Sequence, residues 1–263
     1  MRNIIAAVVF LLIFILGFGI IKNGSDTRKW KGRGRYTVFE VGNQIKVKSI
    51  DPKTKLGIRL ELPEETLIKT LDERGDWKAP ALSKLGEKYG HKWLGNSLAD
   101  FLGITYTLVE DEMGWWDKLT WWNLNREVKW TEVDLKGKNW LAETEAVDGE
   151  RILGLGIGWS RKFGDLFYSQ ELAKSDLEVK VVNTTKIPGL ANKIANRIES
   201  SGVRVVEAVA SEENTGRGCE IESEKKYEKN SLVLWLSDNF SCKWQEKNIG
   251  EIVNVYLGEG FEK

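Results

Sequence analysis

Between Tyr36 and Pro63, in YTVFEVGNQIKVKSIDPKTKLGIRLELP, apolar and polar residues alternate, with turn signals at Gly42-Asn43 and Asp51-Pro52. A period of two sends successive side chains to opposite faces, so three short antiparallel strands are predicted. APALSKLGEKYG and NSLADFLG then carry helical spacing, and ITYTLVE reads as a further strand. In GWWDKLTWWNLNREV a helical period places Trp115, Leu119 and Trp122 on one face, with Trp116 and Trp121 beside it. RILGLGIGW, Arg151–Trp159, has glycines at alternate positions. Their spacing does not suit a dinucleotide turn, and a strand closely approached by other backbone is predicted.

A second unit is predicted from about Leu177. LEVKVVN is a strand, and IPGLANKIANRIESSG is a helix with Pro188 near its first turn and Gly202 closing it. Leu190, Ile194 and Ile198 form the apolar stripe of this helix, with Ala191 and Ala195 as close neighbours. VRVVEAVA and CEIE are strands, EKKYEKNSLVLWLSDNF a helix and EIVNVYLG the last strand. The order βαββαβ predicts a small α/β sandwich of ferredoxin-like type. The fold class is therefore α/β (α+β): a first domain over 36–172 and a second over 173–263, behind a basic linker over 23–35 and an N-terminal segment over 1–22.

That N-terminal segment is continuously apolar. Ile4 to Ile21 carries neither a charged nor a polar side chain, and as a helix it would span roughly 27 Å, near the thickness of a hydrocarbon core. A transmembrane signal anchor is predicted. A cleaved signal peptide is the alternative, with Gly17 and Gly19 its only small-residue cleavage candidates. The basic residues Lys22, Arg28, Lys29, Lys31, Arg33 and Arg35 follow the run. Taken alone they would hold the globular part in the cytoplasm. Most of them start some distance past the run, and a cysteine pair argues for an oxidising compartment. A single-pass protein of the cell membrane with its globular part extracytoplasmic is expected. The Lys22–Arg35 stretch reads as a solvated stalk or as a contact to anionic head groups.

Charge and composition narrow the chemistry. With 39 basic and 39 acidic residues there is no global field for nucleic acid, and none is expected as a partner. One His and two Cys are too few for a structural His/Cys zinc site, and no metal is assigned. His91, in KYGHKWLGNS, reads as part of a turn before a helix, with a surface or packing role. Cys219 opens a predicted strand and Cys242 follows a predicted helix. A bridge would stabilise so small a domain by roughly 3 kcal/mol, and two separate buried thiols are the other reading. Twelve Trp is an unusual number, and they crowd between Trp93 and Trp140. The Trp helix is either core, since each indole buries a large area, or an apolar groove or interface contact.

The turn from Asn183 to Gly189 joins a strand to a helix, as phosphate-binding loops do, but it lacks the Gly-Lys-Ser/Thr of a nucleotide loop. Asn183 and Thr184 can bond local backbone at the strand end. Free N–H groups at the helix start could hold an anion instead.

VVNTTKIPGLANKIANRIESSGVRVV, with the closing VNVYLGEGF, resembles the C-terminal domain of LytR-type cell-envelope proteins over about Leu177 to Phe261. KVKSIDPKTKLGIRLELPEETLIK and SLADFLGITYT resemble parts of the LytR–CpsA–Psr domain. Members of that family are extracytoplasmic. They hold a polyprenyl-pyrophosphate lipid in an apolar cleft and transfer glycopolymers to the cell wall with Mg²⁺. The resemblance therefore implies a polyprenyl lipid or cell-wall glycopolymer as partner, with Mg²⁺ as cofactor only if transfer survives. Where the family motif reads Ile-Pro-Arg-Asp-Thr, this chain has Leu62-Pro63-Glu64-Glu65-Thr66, and the upstream Arg-x-Asp-Thr is met by Arg35-Tyr36-Thr37-Val38. Phosphoryl transfer needs clustered cations. The corresponding positions Arg35, Glu64, Glu65 and Thr66 thus predict a binding or scaffold protein without catalytic residues. Trp115, Trp116, Leu119 and Trp122 would line a lipid groove. A polyprenyl-pyrophosphate-dependent glycopolymer phosphotransferase with an altered site is the alternative, favoured if Arg33, Arg35, Arg59 and Arg161 meet acidic residues in one cleft.

Overall fold

The computed structural model describes residues 28–71, 74–137, 140–146, 149–156, 159–212, 216 and 218–261. Among these, no helix is long and apolar enough to cross a membrane. The Ile4–Ile21 run lies outside the described residues.

The first unit is built on β1 (Tyr36–Val41), β2 (Ile45–Asp51) and β3 (Leu56–Leu62), the antiparallel meander that the alternation predicts. A ribbon of β4 (Leu67–Lys69) and β5 (Asp76–Lys78) follows, then α1 (Ala81–Tyr89) and α2 (His91–Leu102). Next along the chain come β6 (Leu108–Val109), α3 (Trp115–Asn125) and β7 (Lys129–Val133). The two strands flank the meander in parallel, giving the order β6-β1-β2-β3-β7. A hairpin of β8 (Leu141–Glu145) and β9 (Arg151–Leu155) and the short α4 (Trp159–Gly164) complete the unit. His91 does not lie in a turn ahead of the helix. Gly90, at φ 96°, caps both α1 and α2, so a single residue makes the break and α2 starts at His91.

Both faces of this sheet are covered. On one, Phe39, Val47 and Leu60 pack with Leu82 of α1, Leu94, Leu98 and Leu102 of α2, and the aromatic group Trp159, Phe163 and Phe167. On the other, Tyr36, Val38 and Leu108 pack with Trp30, Trp121 and Leu124.

The second unit comprises β10 (Glu178–Asn183), α5 (Leu190–Glu199), β11 (Val205–Ala210), β12 (Cys219–Ser223), α6 (Ser231–Phe240), β13 (Lys243–Glu246) and β14 (Ile252–Leu257). Its sheet order is β11-β10-β14-β12-β13. Strands β10 and β11 are parallel, as are β12 and β13, while β14 lies parallel to β10 and antiparallel to β12. This corrects the ferredoxin-like expectation. The chain leaves α6 into an additional edge strand, KWQE, which has no apolar alternation to announce it, and only then returns to the centre as β14. The α5 stripe lies as its period predicts, with Leu190, Ile194 and Ile198 buried against Val179, Val181, Val253 and Val255. Cys219 and Cys242 form a disulfide, which ties the start of β12 to the segment after α6.

The expectation of a solvated stalk fails over residues 28–35. Trp30 stacks on Tyr36 at 5.3 Å, the Lys29 backbone N–H donates to Asp117 Oδ1 (2.9 Å), and Arg33 pairs with Asp238 at 2.6 Å. Aromatic area and paired charges hold this stretch against both units, which a basic, Gly-rich composition does not reveal.

Candidate functional site

Arg35 and the Glu64–Thr66 segment do not form one site. Tyr36 pairs with Ile50 at one end of the first sheet, while Ile45 pairs with Leu62 at the other. Six strand residues at about 3.3 Å each put roughly 20 Å between the two ends. Arg35 is an internal clamp. Its Nε donates to Ser49 Oγ (2.8 Å), and its terminal nitrogens donate to the carbonyls of Ser49 (3.0 Å), Leu56 (3.3 Å) and Tyr168 (3.2 Å). Burial pulls the guanidinium down to about 10, opposed by Asp51, so it remains charged at neutral pH. Glu64 and Glu65 are exposed, Glu65 facing Lys136 at 3.7 Å. Thr66 is buried, and its backbone N–H donates to the Pro63 carbonyl at 3.0 Å.

The other arginines also separate. Arg59 lies over the Trp130 ring at 4.0 Å and near Glu132 (3.5 Å), and Arg33 is engaged with Asp238. The Arg161 side chain lies outside the described residues. Among the described residues no three of His, Cys, Asp and Glu gather as metal ligands.

The Asn183 turn consumes its own polar groups. Asn183 Nδ2 donates to the Ile187 carbonyl (2.8 Å), while its Oδ1 accepts from the Thr185 backbone N–H (2.9 Å) and hydroxyl (2.7 Å). Thr184 donates its hydroxyl to the Leu257 carbonyl at 3.0 Å. Gly189 then takes the left-handed conformation, φ 74°, that lets the chain enter α5.

The Trp helix faces the other way from a core helix. Its inward side is Asp117, Trp121 and Leu124, set against Tyr36 and Trp30. The face named from the helical period points to solvent, with Trp115 70%, Trp122 57% and Leu119 40% exposed, and Trp116 is half-buried beside them.

A cleft of about 350 Å³ opens where the two units meet. The incoming segment contributes Lys29, Trp30, Lys31 and Arg33, and α2 contributes Lys92, Asn96 and Asp100. From the second unit come Arg197 of α5 and Trp235 and Asp238 of α6, with Phe240 and Phe261 making an apolar wall. These cations share the cleft with the carboxylates Asp100, Glu112 and Asp238, of which Asp100 pairs with Lys193 (2.8 Å) and Asp238 with the cleft's own Arg33. Arg197 is buried and lies over the Phe240 ring at 5.3 Å, a placement that holds a guanidinium at the apolar wall. Tyr106 stacks on Phe39 at 5.2 Å, and its ring rests against Gly95, where a Cβ would come within 2.4 Å. Burial raises its phenol to about 12, so it stays a neutral donor. Chemically, basic side chains and aromatic rings line one cavity, a combination able to meet an anionic group beside apolar surface. Sequence reasoning missed it because its cations come from segments far apart. The one local signal was Arg197, three residues beyond Ile194 at the edge of the apolar stripe.

The cleft's walls are tied across the junction by Thr105 with Ser201 (2.9 Å), the Ser169 N–H to the Ser201 carbonyl (3.0 Å) and the Gly34 N–H to Glu171 (3.2 Å).

No family model and no curated protein matches this chain. The solved structures it resembles include LytR-CPS2A-psr family proteins, the family whose motifs the sequence resembles. One is the LytR-CPS2A-psr family protein YwtF (TagT) with bound octaprenyl pyrophosphate lipid, at 17% identity and TM-score 0.26, over 30% of this chain and 33% of that one. The match thus spans about a third of that protein's length. B. subtilis TagU matches at 14% identity and TM-score 0.23, over 88% of this chain and 93% of that one. The transcriptional regulator yvhJ from Bacillus subtilis matches at 8% identity and TM-score 0.36, over 49% and 93%. At these scores the matches carry neither the fold nor the chemistry, which rest on the geometry above.

Proposed function

We propose that the chain is a membrane-anchored, envelope-facing binding protein that holds a phosphate-bearing ligand, a polyprenyl lipid or a cell-wall glycopolymer, without transferring it. The observation that carries this reading is the cleft between the units, lined by Lys29, Lys31, Lys92 and Arg197 together with the aromatic rings of Trp30, Trp235, Phe240 and Phe261. A phosphate is met there by charge-assisted donors, and an isoprenoid or sugar body by aromatic surface. The family positions Arg35 and Glu64–Thr66 support binding over transfer. They sit at opposite ends of a sheet and cannot act on one phosphorus atom.

The test is native mass spectrometry of the detergent-extracted full chain, together with titration of inorganic pyrophosphate. The expected outcome is a copurified anionic lipid or polymer and at least ~10-fold weaker pyrophosphate binding in Lys31→Glu/Lys92→Glu, since close charge pairs contribute 1.5 kcal/mol or more. Unchanged binding in that variant would remove the cleft from the reading. Glycopolymer transfer that is lost in Glu65→Gln would show an enzyme built elsewhere.

A further inference from the structure

We infer that the outward stripe of α3 is a seat for the lipid head-group layer, so that the protein lies against the bilayer on its Trp helix. The stripe is Trp115, Leu119 and Trp122, spaced to share one helical face and each at least 40% exposed. Large aromatic side chains on a solvent-facing helix need a cover, because water-exposed indole forfeits the burial that makes Trp worth its size. Indole is also the side chain that favours head-group depth.

The surrounding chemistry suits a lipid surface better than a protein groove. Arg28 lies over the Trp116 ring at 5.5 Å and Arg126 over Trp122 at 4.9 Å, with Lys118 exposed between them. Long basic side chains rimming an aromatic stripe can leave their stems among acyl chains while their charges meet phosphates. The path of the chain points the same way. Its described part begins at Arg28, docked on α3 through Lys29 and Asp117. The apolar Ile4–Ile21 run ends seven residues before Arg28, a reach of at most about 25 Å. The inference rests on reading that run as a membrane anchor, and it adds which face the anchor presents to the bilayer. The cleft shares Lys29 with this attachment, so a seated α3 would place the cleft beside the membrane.

The test uses the full chain in nanodiscs of phosphatidylglycerol and phosphatidylethanolamine. Because Cys219 and Cys242 are bonded, an introduced cysteine can be labelled alone. An environment-sensitive fluorophore is placed at Leu119→Cys and, as a control on the second unit, at Glu207→Cys. The expected result is a blue-shifted Leu119 probe quenched at least about twofold by head-group nitroxide lipid, with the Glu207 probe unaffected. Adding Trp115→Ser/Trp122→Ser, both on the surface, should abolish that quenching. A water-exposed Leu119 probe in protein that resists carbonate extraction overturns the inference while keeping the anchor. Release by carbonate with the Leu119 probe still quenched removes the anchor and keeps the seat. Release with an unquenched probe overturns both. A blue shift that grows with protein concentration in the absence of lipid assigns the stripe to a second copy and also overturns it.

Discussion

The two units answer the same demand, a stable five-stranded sheet, in different ways. The first covers both faces of its sheet, one with α1, α2 and a stack of aromatic rings, the other with α3 and Trp30. Trp159 and Phe163 stand at 3.9 Å between centroids, with Trp140 and Phe167 packed around them. The second unit covers one face. Its other face carries half-buried polar residues joined by pairs such as Lys180–Glu207 (2.5 Å) and Lys247–Glu222 (2.9 Å). It adds a covalent link. Aromatic area stabilises the folded state directly, whereas a cross-link acts mainly by restricting the unfolded chain. The two units should therefore respond to different insults.

The largest effect should come from the aromatic stack. Phe163→Ala removes a fully buried ring in contact with Trp140, Trp159 and Phe167, and a loss of about 3–5 kcal/mol is expected. Hydrogen exchange should show protection falling in β1–β3 and α2 before β10–β14. A loss shared evenly by both units would mean that the junction makes them one cooperative body.

The disulfide should have the next largest effect, in the opposite place. Cys219→Ala/Cys242→Ala opens a loop with a sequence separation of 23, for which about 3 kcal/mol is expected. The midpoint of urea unfolding should fall for the second unit while the exchange pattern of the first is kept. An equal fall on adding reductant to the parent chain would confirm the source.

The smallest effect concerns the boundary between them. Burial raises the Tyr106 phenol to about 12. A group that binds its proton more tightly when folded contributes stability that is complete below the unfolded value near 10 and is lost as pH rises toward 12. Tyr106→Phe should therefore flatten the alkaline fall in the urea midpoint between pH 10 and 12. Tyr36, also raised by burial and by Asp117, should leave part of that slope in place. An unchanged slope would sink the burial of the Tyr106 phenol at the cleft.

Legibility in the sequence followed the same division. The β1–β3 meander and the α5 stripe could be read because each buries one side of a periodic pattern. The orientation of α3 could not. Trp115, Leu119 and Trp122 make one apolar face while Trp121 and Leu124 make another, and period alone does not choose between two apolar faces. The β8 strand, LAETE, was missed because Ala and Glu are weak strand formers. The edge strand β13 was missed because it pairs on one side only and carries mostly polar residues. The disulfide was within reach because the flanking elements were placed correctly. The cleft was out of reach, since its charges meet only when α2, α5, α6 and the incoming segment are assembled.

Gly95 carries a consequence of its own. A single hydrogen where every other residue has a carbon is what allows the Tyr106 ring to lie flat against α2. Gly95→Ala would press on the far end of that ring, which then has to swing, and the room it can take is the cleft's. The substitution therefore acts as a plug of one methyl group. It would narrow the cavity while leaving every charge around it in place, and so tell recognition by shape from recognition by electrostatics.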